Sequence, residues 1–541
     1  MYNTLFSHFV AKVAEVLKIS LREEVDVEQE GKNKDAIVLM KSSNNIKRHD
    51  NKSLATHGAP FSDESLAAIE GAGEHLQSCN SRKKIVSSRS DLIRNPLKLQ
   101  ALSFKNLVQN ITDTLRELIL SGVNIDSEVP HILTNTSSIT SLVLRDCGLR
   151  GEFPTGIFHL PMLQHLDMRG NHDLSGYLPK FHSKSQLKDL ILAETNFHGM
   201  LPTSIGNLMH LNQLDVSGCN FSGPLPGSIS NLTQLTLLKL DHNRFWGRIP
   251  SLFSLSKLSY LILSSNEFDG RNLSAWLGKL PNLLYLDLKL NNLSCEIPSS
   301  IENQTQLREL YLNYNNMVGR IPSLESLSNL NVLYLSLNNF DRWKLPDWLG
   351  KLNKLTYLQL VAVNLYGEIP SSIFNLTQVE DLLLSSNQIE GRVPPFPSTM
   401  TKLTSLILQK NQLKGPIPRS FLNLHNLEEI VLNDNNMNTT VEVDIFLGLR
   451  NLKILTLGGN RITLSVMTNI TSDKLPKFEI LRFESCNLKV FPDFLRFQDQ
   501  LQEVYLDDNK IEGLIPNWIG NISKETLHTL SFSKSSLIGF E

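Results

Sequence analysis

Residues 211–250 read LNQLDVSGCNFSGPLPGSISNLTQLTLLKLDHNRFWGRIP, and the stretch carries one pattern twice. Leu211, Leu214 and Val216 return as Leu235, Leu238 and Leu240, Cys219 returns as Asn243, and Gly223 and Pro226 return as Gly247 and Pro250. Apolar residues at alternate positions mark a strand with one apolar face. A strand this short cannot bury that face alone, so it must stack on its own copies.

Working outward, L-x-x-L-x-L-x-x-N/C recurs from Leu115 to the end. Its closing position falls at Val123, Cys147, Asn171, Thr195, Cys219, Asn243, Asn266, Asn291, Asn315, Asn338, Val363, Asn387, Asn411, Asn435, Asn460, Cys486, Asn509 and Ser535. The mean spacing is about 24 residues, the period of a leucine-rich repeat. The expected fold is α/β, a right-handed solenoid of about 18 repeats with a parallel sheet on its concave face. The closing Asn turns the chain, and its amide can bond backbone groups of adjacent coils, forming a buried ladder. Cys147, Cys219 and Cys486 share that slot and read as buried structural thiols.

Many units continue x-L-x-G-x-x-P, as in FSGPLP, FWGRIP, LYGEIP and LKGPIP. Gly permits a turn that other residues resist, and Pro fixes an extended segment, so each coil bends before an outer helical or 3₁₀ portion.

Together these residues resemble the plant-specific class of leucine-rich repeats found in cell-surface receptors. The stretches LVQNITDTLRELILSGVNIDSEVP and SLVLRDCGLRGEFPTGIFHLPMLQHLDMRGNHDLSGYLP are similar to receptor-like proteins of the disease-resistance type. The resemblance covers residues 95–541. It implies a ligand-recognition ectodomain on the extracellular side of the plasma membrane, binding a peptide, protein or glycan and signalling through partner receptor kinases in defence or development. A soluble inhibitor of a secreted enzyme and a nonfunctional receptor fragment are the alternatives.

Residues 1–94 depart from that family. A short amphipathic helix is expected near 6–17, with Phe6, Phe9, Val10, Val13, Val16 and Leu17 on one face. Charged stretches such as SRKKIVSSRSD follow and read as a poorly ordered, solvated segment, so the repeat domain is placed at 95–541. SFKNLVQNIT resembles the outer half of a repeat whose strand is missing. No stretch supplies a signal-peptide core of about 7–15 apolar residues or a membrane span of about 20. The chain as written is therefore expected to make no direct membrane contact, and its repeats to lack recognisable caps.

Composition narrows the function. The 541 residues are 41% apolar and 20% charged, with 52 basic and 54 acidic side chains, so no global field drives nucleic-acid binding. The five cysteines lie at least 68 residues apart, which fits neither a zinc site nor a disulfide framework. No phosphate loop, zinc-protease motif, nucleophile elbow or kinase signature occurs, so no enzyme, cofactor or metal is expected. His165 with Asp167, and His242 with Asp241, are ordinary pairs on a polar sheet face. Of twelve Asn-x-Ser/Thr sequons, Asn231, Asn375 and Asn521 occupy one slot on the outer side, where a glycan leaves the sheet clear.

Function then rests on the five x positions of each unit. Tyr260, Tyr285, Tyr311, Tyr314, Tyr334 and Tyr357 fall there on five consecutive strands, and tyrosine is a rigid, amphipathic anchor for recognition. Further along stand Glu380, Asp381, Glu428, Glu429, Asp434, Glu479, Glu484, Glu503, Asp507 and Asp508, against the bases Lys410, Lys453 and Arg482. That acidic patch would steer a basic peptide or protein.

Overall fold

The computed structural model describes residues 83–87, 101–109, 114–270, 273, 276–465 and 475–541. The expected helix near 6–17 lies outside the described residues, as do Cys79 and the sequons at Asn51, Asn110, Asn272 and Asn469. The compact unit that holds the repeats runs from Ser81 to Glu541.

Its spine is a 19-stranded sheet in which every pairing is parallel and in-line leucines face one another. Leu214, Leu238 and Leu261 stand side by side, as do Leu382, Leu406 and Ile430, and all six are wholly buried. Eighteen of the strands are the repeats legible from Leu115 onward. The nineteenth lies upstream of the expected boundary at residue 95: Lys83–Ser87, placed by sequence in a solvated segment, pairs in parallel with Leu115–Ser121. The backbone of the Leu115 strand would otherwise be an open sheet edge, and such an edge templates pairing by any nearby extended chain. The helix Ala101–Gln109 follows, with Phe104 and Val108 fully buried, and supplies the outer half of that coil.

Proline sets the outer side. Ten five-residue 3₁₀ turns, such as Thr203–Asn207, Gly227–Asn231 and Ser371–Asn375, each follow a Pro in extended conformation. The Pro carbonyl accepts the first turn bond, as Pro226 does from Ile229 N–H at 3.1 Å. Between ladder and proline the x-L-x-G segment does more than bend. Gly151–Glu152, Leu174–Gly176, Asn196–Gly199, Asn220–Pro224, Arg244–Gly247 and Glu267–Phe268 form a second, six-stranded parallel sheet on the flank. Gly223 and Gly247 there have φ of +87° and +77°, as their turns require. Beneath it Phe221, Phe245 and Phe268 stack with ring centres 6.3 and 6.2 Å apart.

The closing residues hold neighbouring coils together. Asn411 donates from Nδ2 to its own coil at Leu408 O (3.1 Å) and to the preceding coil at Leu384 O (3.0 Å). Its Oδ1 accepts from Ile389 N–H at 3.0 Å. The same set recurs at Asn171, Asn243, Asn266, Asn291, Asn315, Asn338, Asn387, Asn435, Asn460 and Asn509. Cys147 and Cys219 donate weakly to the preceding coil, to Leu120 O at 3.4 Å and Leu192 O at 3.1 Å. Burial pushes the Cys147 thiol up to about 12 and raises those of Cys219 and Cys486, so all three stay protonated. No two of the described cysteines are bonded to one another.

The chain reverses sharply just before the closing residue. The residue at that point has positive φ in all eighteen coils: glycine at Gly122, Gly170, Gly218 and Gly459, and other residues in the remaining fourteen, from Asp146 (+51°) to Lys534 (+55°). A left-handed L-residue costs about 1–2 kcal/mol, and glycine escapes that cost.

Two stability predictions follow from this geometry. Asn411→Ala strands three buried backbone groups and should lower stability by about 2–4 kcal/mol in urea denaturation; a loss under about 0.5 kcal/mol would sink the ladder's role. Ala362→Gly, at φ +51°, should instead raise the thermal midpoint, gaining about 0.5–1 kcal/mol once glycine's larger unfolded entropy is deducted.

Candidate ligand-binding face

Each coil presents its five x positions on the open face of the long sheet. Strand pairing places Tyr260 beside Tyr285, and Tyr311 beside Tyr334, while Tyr285 faces Glu309 rather than Tyr311. The row therefore steps by two residues along the strand, and the rings bridge the step. Ring centres are 6.1 Å apart for Tyr260–Tyr285, 5.4 Å for Tyr285–Tyr311 and 5.2 Å for Tyr311–Tyr334, the last edge-to-face. These are favourable aromatic contacts, each about 0.5–1.5 kcal/mol beyond area burial.

One hydroxyl on the row is bound within the protein. Tyr311 donates its hydroxyl to Glu309 Oε2 at 2.8 Å, and the Lys289 ammonium lies 4.9 Å from the Tyr311 ring centre. Tyr357, one strand further and opposite Val332, donates to Glu380 at 2.9 Å. Tyr314 sits at a left-handed turn, and burial pushes its hydroxyl up. Four of the six expected tyrosines thus form one continuous row, with Tyr357 and Tyr314 at its margins. The seventh open-face tyrosine, Tyr505, lies elsewhere beneath the Arg482 guanidinium at 4.3 Å.

The acidic patch is contiguous and partly neutralised. Lys453 pairs with Glu428 at 2.6 Å and Arg482 with Glu503 at 3.0 Å. Hydroxyls and amides answer others: Ser405 donates to Glu429, Thr404 to Asp381, Gln502 to Glu479, and Ser485 to Asp508. Burial tends to raise the Asp507 carboxyl, but bonds from Ser531 and Ser533 outweigh it and hold the group below its usual range. Burial, with the Asp381 charge adding, pushes Glu429 up.

Gly458 and Gly459 make a notch in this patch. A Cβ on the first would collide with Glu484 Oε2, and on the second with Asp434 Oδ1, so two carboxylates lean into the space the glycines leave. Burial pushes Glu484 up; Arg482 opposes this, while Asp507 and Asp434 add to it.

The burial of one group of residues escaped the sequence reading. Asp167, Asp215 and Asp287, each directly after the middle leucine of its strand, are 2, 8 and 3% exposed. Asp167 is held by Arg145 at 2.7 Å and Arg169 at 2.8 Å, so His165 pairs with Asp189 on the next strand instead. His242 does pair with Asp241, at 2.8 Å. The signal was present as HLDM, QLDV and YLDL, where a carboxylate stands in an otherwise apolar run. Among the described residues no three His, Cys, Asp or Glu side chains are grouped to hold a metal, and no helix is long and apolar enough to cross a membrane.

Comparison with known proteins agrees with this architecture. The family model described as a leucine-rich repeat region matches residues 161–317 and 306–537. Receptor-like protein 39 of Arabidopsis thaliana is 31% identical over 75% of the chain, which spans 43% of that relative's length. The solved plant peptide hormone receptor RGFR1 in complex with RGF2 is 29% identical with a TM-score of 0.64, covering 78% of this chain and 71% of that one. A solved TDR receptor is 27% identical with a TM-score of 0.68, covering 81% and 83%.

The acidic notch has a measurable consequence. Because the folded state raises the Glu484 pKa above its unfolded value, the ionised carboxylate costs stability at neutral pH, and that cost vanishes as pH falls below the ordinary carboxyl range. Glu484→Gln should therefore melt higher than the parent at pH 7 and equal to it near pH 4. A difference that grows on acidification would contradict the assignment.

Proposed function

Because the chain belongs to the leucine-rich-repeat family and stands with its plant receptor-like proteins, we propose that it is a ligand-recognition ectodomain whose open sheet face binds a peptide or protein. The observation that carries this reading is the continuous row Tyr260, Tyr285, Tyr311 and Tyr334. The half-buried rings of Tyr260, Tyr285 and Tyr334 offer contact area that loses little entropy on binding, and the buried Tyr311 ring packs between two of them. The acidic patch adds long-range attraction for a basic partner, which raises the encounter rate more than the affinity.

The chain spans about two-fifths of the length of the relatives that match most of it, so transmission of the signal is assigned to other segments and to partner kinases. A solved neighbour described as a peptide hormone receptor supports a peptide as ligand. The exposed Asn231, Asn375 and Asn521, each ending a 3₁₀ turn on the outer side, support an extracellular, glycosylated state in which glycans leave the binding face clear.

The test uses peptides selected from a random display library for binding to the full chain. Combined Tyr285→Ala, Tyr311→Ala and Tyr334→Ala should weaken their binding roughly a hundredfold, as loss of clustered hot-spot aromatics does. The circular dichroism of the coil should be retained. Unchanged affinity in a folded variant would remove the tyrosine row from the binding site.

A further inference from the structure

The left-handed turn before each closing residue accepts glycine, as four coils show, yet three consecutive coils place large apolar side chains there. Leu290, Tyr314 and Leu337 have φ of +54°, +58° and +56°. All three are half-buried, and they sit on the coils that carry Tyr285, Tyr311 and Tyr334. The repeat imposes this conformation on all eighteen coils and glycine would take it without strain, so a large apolar side chain at three coils in a row is a choice of surface. The fully buried leucines of these coils already fill the core, so the strained side chains serve the face.

Two oxygens on the same face lack donors. Asn313, 4% exposed, and Asp241, 8% exposed, each keep an Oδ1 with no hydrogen-bond partner in the protein. A buried acceptor without a donor is costly, and native proteins rarely leave one idle. Both residues directly follow the last leucine of their strands, three coils apart, which is roughly 14 Å at about 4.8 Å per strand. Asp241 Oδ2 faces the His242 ring, while Lys239, in register with Asp215, answers that neighbouring carboxylate instead.

Resting on the reading of this face as a peptide receptor, we infer that its ligand is an extended peptide with a cationic residue on Asp241, an N–H donor on Asn313, and apolar side chains between the tyrosine row and Leu290, Tyr314 and Leu337. At about 3.3–3.4 Å per extended residue, roughly four residues separate the two polar anchors. A peptide suits the strip better than a glycan, because a cationic group answers Asp241 and apolar side chains answer Leu290, Tyr314 and Leu337, neither of which a neutral, hydroxyl-rich sugar supplies.

The experiment pans a random dodecapeptide library against the full chain and measures the selected synthetic peptides by calorimetry. Selected sequences should carry Lys or Arg about four residues from an apolar run. Asp241→Asn should weaken them about tenfold and erase the preference for the cation. Leu290→Gly with Leu337→Gly should weaken binding at least tenfold while raising the melting temperature, a pair of opposite signs that a purely structural role would not give. Selected peptides indifferent to these variants, or sensitive only to changes in the acidic patch, would overturn this inference and leave the receptor reading standing. Failure to select any peptide would overturn the peptide-receptor reading and this inference with it, and binding of an arrayed glycan that depends on Leu290 and Leu337 would replace the peptide by a sugar.

Discussion

Everything on the binding face depends on a buried amide. The Asn that closes eleven of the eighteen coils donates to a carbonyl of its own coil and to one of the coil before, and accepts an N–H from the coil before. Those groups are buried away from water, so no alternative partner exists for them and the spacing between coils is fixed by hydrogen-bond length. Hydrophobic burial supplies most of the driving force for stacking, but it is non-directional and would tolerate slippage. The amide removes that freedom. The left-handed residue just before it belongs to the turn of the repeat rather than to the amide, since it recurs in the seven coils closed by Val, Cys, Thr or Ser.

A reader of the sequence can recover the amide, the leucines and the proline-led outer turns, because each needs one residue type at one place. The left-handed residue is invisible for the opposite reason: its conformation is set by the turn of the repeat, and fourteen non-glycine residues of many kinds accept it. The flank sheet is hidden because two to five residues per coil leave too short an alternation to read, and its pairing partner is a whole repeat away. The strand Lys83–Ser87 is masked by charge: with two lysines at its start it reads as solvated chain, and only the exposed backbone of the Leu115 strand explains why it pairs.

The tyrosines show a further limit. Their placement on the open face follows from counting positions within each unit, but contact between Tyr285 and Tyr311 does not, since the two occupy different positions and meet only because their rings span the step between strands. The buried aspartates show the converse. Asp167 reads as an ordinary partner for His165 by proximity in sequence, yet two arginines claim it and the histidine turns to the neighbouring coil. In a solenoid the nearest chemical neighbour of a side chain is usually about 24 residues away, so pairs read within one strand are the least dependable.

The division of labour along the face follows from the range of the forces involved. Aromatic and apolar contacts act only on touching, and they occupy the coils from Tyr260 to Leu337, where strained turns add apolar area. The excess negative charge of the carboxylates acts over about a Debye length, roughly 8 Å in physiological salt, and it is gathered on the later coils. Steering governs arrival and close packing governs residence, so the two regions control different rate constants of one binding event. Added salt would then slow association through the acidic coils while leaving dissociation, set by the tyrosine and leucine strip, nearly unchanged. A fixed backbone ladder permits this arrangement because side chains on the open face contribute little to the stack, leaving them free to be chosen for what they bind.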